Sequence, residues 1–148
     1  MSYTNLFVEV HQPSTPLYPA LKAATTHNTV WIPMANHQRI VFLILIGAMT
    51  ALSTVDFHVH EALSAAGGTP LAITGAAITQ LTQAGGDGND LLAVEVRTEE
   101  LTVNTDYAWV QGSLVIGTDT CYAAVLPLRF IPNYPPVVTT GWTETVNN

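Results

Sequence analysis

Arg39-Ile-Val-Phe-Leu-Ile-Leu-Ile-Gly-Ala48, followed by Thr54-Val-Asp-Phe-His-Val-His-Glu61, is the stretch that decides the fold. The first run is apolar on both of its faces, as a strand covered on both sides should be. The second alternates. Val55, Phe57 and Val59 fall on one side and Asp56, His58 and His60 on the other, the period of a half-buried strand. The longer apolar run Ile40 to Leu52 is about a third too short to span a bilayer as a helix. Arg39 precedes it, Gly47 interrupts it, and it lies too far from Met1 to be a signal peptide.

Outward from this pair the chain reads as short β-rich runs punctuated by Gly, Pro, Asn and Asp. Strands are expected at Asn5–Val10, Ala20–Thr26 and Val30–Pro33 before the central pair, then at Pro70–Gln83 and Leu91–Thr98. Ile73, Ile78 and Leu81 fit neither a strand nor a helix period well. Tyr107–Ile116 and Cys121–Ile131 follow, joined by Gly117-Thr118-Asp119, which reads as a hairpin turn. No amphipathic helix and no internal repeat interrupts the series. The fold class is therefore all-β: an antiparallel β-sandwich, immunoglobulin/fibronectin-like or jelly-roll, of about eight strands. The expected organisation is an N-terminal arm over 1–18, the sandwich over 19–131 and an extended C-terminal arm over 132–148.

Composition limits function. Lys22, Arg39, Arg97 and Arg129 are the only strong cations among 148 residues, against eleven carboxylates, for a formal charge of −7. Binding phosphates takes clustered Lys and Arg, so neither nucleic acid nor an anionic membrane is an expected partner. Only 10% of residues are charged and 48% are hydrophobic. So bland a surface is suited to being covered by other chains. The one cysteine, Cys121, excludes an intrachain disulfide and opens an apolar strand, the setting of an inert core thiol.

Two constellations could carry chemistry. His58 and His60, at i and i+2 on one strand face with Asp56, resemble the His-x-His pair of metal-binding cupins and carbonic anhydrases. The glutamate that follows in cupins is replaced by Ser64 and Ala65. A third imidazole would have to come from His11, His27 or His37. Gly85-Gly-Asp-Gly-Asn-Asp-Leu-Leu-Ala93 is similar to the calcium-binding nonapeptide repeat, whose ligands here would include Asp87 and Asp90, but that motif binds between stacked copies and this chain has one. A turn between strands accounts for it better. No G-x-S-x-G elbow or phosphate loop is present. The reading is accordingly no enzyme, no cofactor and no metal, with His58, His60, Asp87 and Asp90 as the residues a metal would use.

Two further resemblances bear on fold and role. Leu101-Thr-Val-Asn-Thr-Asp-Tyr107 is similar to the tyrosine corner of fibronectin type III domains, with Val103 where proline usually stands. The run Arg39–Gly47, the strand Val55–His60, the segment Ile73–Leu81, the strand Leu92–Val96 and the proline-containing end together resemble small structural proteins of tailed bacteriophages. That resemblance implies a virion component, a capsid decoration (cement) protein on the capsid surface. Its partners would be the major capsid protein and copies of itself. The alternatives are a tail-tube, tail-terminator or fibre-adaptor protein, or a glycan- or receptor-binding module. Interface residues would be Trp142, Tyr134, Pro135 and Pro136, because a Trp in a proline-flanked tail has no core of its own and suits a neighbouring subunit.

Overall fold

The computed structural model describes residues 7–102 and 108–132. Two antiparallel sheets face each other across one core. One sheet holds β1 (His11–Pro13), β2 (Leu17–Lys22), β5 (His37–Met49), β9 (Leu91–Arg97) and β11 (Cys121–Pro132). The other holds β3 (Thr26–Asn28), β4 (Ile32–Pro33), β6 (Thr54–Ala62), β7 (Leu71–Ala77), β8 (Leu81–Thr82) and β10 (Trp109–Gly117). In the first, which we call sheet A, β1 and β2 lie along β11, then come β5 and β9. In sheet B, β3 and β4 lie along β10, then come β6 and, along its other edge, β7 and β8.

If β1/β2, β3/β4 and β7/β8 are each taken as one broken strand, eight strands remain. They are interleaved so that the first pairs with the last in one sheet and the second with the seventh in the other. This is the double Greek key of a jelly roll. Of the two sandwich topologies the sequence allowed, the chain takes this one. Tyr107, on which the fibronectin-like corner turns, lies outside the described residues.

Proline placement explains where the edge strand breaks. Pro13, Pro19 and Pro33 sit on edge strands, which tolerate a missing N–H. Pro127 is different, being inside the central strand β11 opposite Phe42 of β5. Its carbonyl accepts from Ser14 N at 3.0 Å, so its nitrogen side also faces the edge rather than β5. β11 pairs β2 as far as Val125 and β1 only from Leu128, so the missing donor falls in the gap.

The core is built from the inward rows: Ile40, Phe42, Ile44 and Ile46 of β5 meet Val55, Phe57 and Val59 of β6 and Val110, Leu114 and Ile116 of β10. Phe42 and Phe57 touch across the sheets at 5.5 Å between ring centroids. Gly112 makes room for them, since a Cβ there would lie 2.6 Å from Phe57 Cζ.

Four expectations change. The described part of Asn5–Val10 is a single helical turn, α1 (Phe7–Val10), followed at once by strand. The N-terminal arm drawn to residue 18 is sewn into sheet A from His11 onward, through β1 and the start of β2. Gly117-Thr118-Asp119 is not a hairpin: β10 belongs to sheet B and β11 to sheet A, so the turn is a corner between sheets. Turn residues specify a reversal but not the strand that receives the chain. Finally, Pro70–Gln83 fits no period because β7 bulges: register passes from His58↔Ala77 to His60↔Ala72, looping out Ile73–Ala76 around Gly75 at φ +83°.

Candidate docking face

Strand register assigns every outward residue. In sheet A, Arg39, Val41, Leu43 and Leu45 of β5 alternate against the core row. They stand beside Arg97, Glu95, Ala93 and Leu91 of β9, and beside Phe130, Leu128, Leu126 and Ala124 of β11. The run Arg39–Ala48 was patterned for cover on both sides. It receives it on one. Among the described residues no further layer covers the outer face where Leu45 is 47% exposed, Leu91 72%, Tyr122 53% and Leu21 50%.

The two ends of this face differ. At the Arg39 end the ring of Phe7 stacks on His11 at 3.9 Å, and His11 on Phe130 at 5.9 Å. Beside them Arg39 Nη1 donates to Glu95 Oε1 at 2.9 Å. At the other end lies a shallow apolar groove of about 290 Å³ lined by Pro19, Ala20, Leu45, Gly47, Tyr122 and Ala124. Gly47 leaves the floor low, and a Cβ there would lie 3.0 Å from Tyr122 Cβ. Among the described residues no charged side chain lines it. Open and small, it suits a side chain of another polypeptide better than a cofactor, which needs a deeper pocket with converging polar groups.

The outer face of sheet B is the opposite in kind. Its groups are occupied with one another: Gln80 Nε2 donates to Asp56 Oδ2 at 2.7 Å, Ser113 Oγ to Asn28 Oδ1 at 2.7 Å and Gln111 Nε2 to the Thr29 carbonyl at 2.8 Å. The structure does put His58 and His60 together on this face, 4.7 Å apart with ring planes at 82°. Burial, and then the neighbouring His58, lowers the His60 pKa, favouring its neutral form. The third imidazole does not arrive. His27 pairs with the core residue Leu114 and so belongs to the other side of sheet B, His11 lies in sheet A, and His37 is buried at the start of β5. Among the described residues no group of three His, Cys, Asp or Glu is placed to hold a metal ion.

The Gly-rich nonapeptide forms a turn closed on itself. Asp87 Oδ2 accepts from Thr82 N at 2.8 Å, Thr82 Oγ1 accepts from Gly85 N at 3.0 Å, and Gly86 and Asn89 take positive φ. Asp90 contributes its carbonyl to Ile46 N. Cys121 is fully buried, its thiol pushed up by burial, as an unreactive core thiol should be. Trp31 packs over the turn at Gly67, where a Cβ would meet its indole. Tyr134, Pro135, Pro136 and Trp142 lie outside the described residues.

Sequence reasoning missed two buried polar groups. Glu61 points to the core side of sheet B and is buried, its carboxylate accepting from Thr102 N at 2.8 Å and from Thr102 Oγ1. The same alternation that buries Val55, Phe57 and Val59 places it there, which was the available signal. His37 is 4% exposed, and among the described residues neither ring nitrogen has a hydrogen-bond partner. Burial and the nearby Arg129 guanidinium lower its pKa to about 4.

No family model matches the chain, and no curated protein matches it. Among solved structures, a chain of the cryo-EM atomic structure of Broad Bean Stain Virus is similar over 100% of this chain and 98% of its own, with a TM-score of 0.45 and 11% identity. A likeness of that degree says nothing about function.

Proposed function

We propose that the chain is a non-enzymatic virion structural protein, a capsid decoration (cement) protein that binds the major capsid protein and copies of itself. The observation that carries this reading is the apolar outer face of sheet A, patterned by the sequence as a buried surface and left open in the single chain. Clustered exposed apolar side chains mark an interaction site, and covering them is favourable by roughly 25 cal/mol per Å². A rigid sandwich is an apt brick: many modest contacts on a symmetric shell sum to firm attachment. The scarcity of cations, with Arg39 and Arg97 each held by a glutamate, favours protein over nucleic acid as the surface it meets.

The test is co-sedimentation with expanded capsids of the phage that encodes it, comparing the native chain with a Leu45→Glu/Leu91→Glu variant. Native protein should pellet with capsids and the variant should stay in the supernatant with an unchanged circular dichroism spectrum. Native protein that never leaves the supernatant would contradict the reading.

A further inference from the structure

The apolar groove on sheet A calls for a specific occupant. We propose that it takes the C-terminal segment, residues 133–148, of a second copy of this chain, with Trp142 as the side chain that enters it. This inference rests on the reading above and adds the identity of one contact.

Three observations point to that occupant. The first is chemical match. The groove presents Leu45, Tyr122, Pro19, Ala20, Gly47 and Ala124 without a charge. Residues 133–148 carry Tyr134, Val137, Val138, Trp142 and Val146, no lysine or arginine, and one carboxylate, Glu144. Trp is the residue type that most often dominates an interface when a pocket desolvates it.

The second is length. β11 begins beside the groove at Tyr122 and Ala124 and ends at Pro132, opposite His37 at the far end of the sheet. From Pro132 back to Ala124 is eight residues of strand, about 27 Å. Trp142 stands ten residues beyond Pro132, a reach of at most about 35 Å when fully extended. A tail returning to its own groove must first reverse, which consumes several of those ten residues. Its own groove is thus at or past the limit of reach, while a neighbour's is under no such constraint.

The third is obstruction. The Phe7–His11–Phe130 stack and the Arg39–Glu95 ion pair occupy the end of the face that a returning tail would have to cross.

The experiment places single cysteines in the full chain, Leu91→Cys beside the groove and Thr143→Cys beside Trp142, with the native Cys121 fully buried and out of competition. Mixed under mild oxidation, the two variants should form a disulfide between chains. Adding Trp142→Ala to the Thr143→Cys chain should weaken that link about tenfold or more, as loss of a buried Trp anchor does. Circular dichroism of each variant confirms that it is folded. A chain carrying both cysteines that closes on itself at high dilution would overturn the inference in favour of the chain's own groove. Absence of any link while the native chain still assembles by solution mass would overturn the occupant and leave the structural role standing. Absence of both would defeat the structural role as well.

Discussion

The two outer faces of this sandwich are made by the same alternation and end in opposite states. On sheet B the outward rows carry polar groups that are occupied, Asp56 with Gln80, Ser113 with Asn28 and Gln111 with the Thr29 carbonyl, in line with Trp109 and Val115 of β10. On sheet A the outward rows carry Arg39, Glu95, Arg97 and Phe130 at one end and Leu, Val, Ala and Tyr beyond it, and the end holding Leu45, Leu91, Tyr122 and Leu21 is open. A face whose polar groups satisfy one another has nothing to gain from a partner, whereas an apolar face in water does. The difference teaches which surface is finished and which is waiting.

The contrast can be broken or sharpened by substitution, beginning with the layer between the faces. Phe57→Ala removes the ring that meets Phe42 across the sheets and should cost about 3–5 kcal/mol in denaturant unfolding, because both faces depend on that contact. A loss below about 1 kcal/mol would mean the sheets are held together elsewhere.

Acid comes next. His37 has a folded pKa of about 4 against 6.5 unfolded, so below pH 6.5 the unfolded chain binds more protons than the native one. Its contribution is intact above pH 6.5 and declines as pH falls towards 4, by at most about 3 kcal/mol. His37→Gln should flatten that slope in unfolding measured between pH 7 and 4.5. A variant with the native slope would assign the effect to other groups.

Glu61→Ala should cost about 1–3 kcal/mol, since it removes the acceptor of the Thr102 N–H and hydroxyl. Recovery of part of that stability by Glu61→Gln would identify the hydrogen bonds as the cause. On the finished face, Ser113→Ala should cost about 1 kcal/mol by removing a buried hydroxyl's bond to Asn28, with no change in solution mass. The smallest effect on folding belongs to the unfinished face. Leu45→Glu should shift monomer stability by less than about 0.5 kcal/mol, yet it should alter assembly more than any of the others.

Much of this architecture was legible in the chain. Val55–His60 and Leu92–Arg97 alternate cleanly because each has one face in the core and one outside, and both appear as strands with the expected residues inward. Ile40 to Ile46 was legible as a strand, but the cover on both faces that its pattern implied is supplied by the described residues on one face only. The parts that were not legible share a cause: they depend on where the chain goes in three dimensions. Gly117–Asp119 could not declare that it turns between sheets, nor could Ile73–Ala76 declare a bulge that resets the alternation. Of the candidate ligands, His58 and His60 were rightly placed on one face because i and i+2 must share it. The partners needed to make them a site lie in other elements, and register puts those elsewhere.

The central claim is that the outer face of sheet A is covered when the protein works. Sedimentation velocity of the native chain and of Leu45→Glu/Leu91→Glu across a hundredfold range of concentration tests it most directly. The account predicts concentration-dependent assembly of the native chain and a monomer at every concentration for the variant, with equal unfolding midpoints for the dissociated chains. A native chain that stays monomeric throughout, or a variant that assembles as readily, would contradict it.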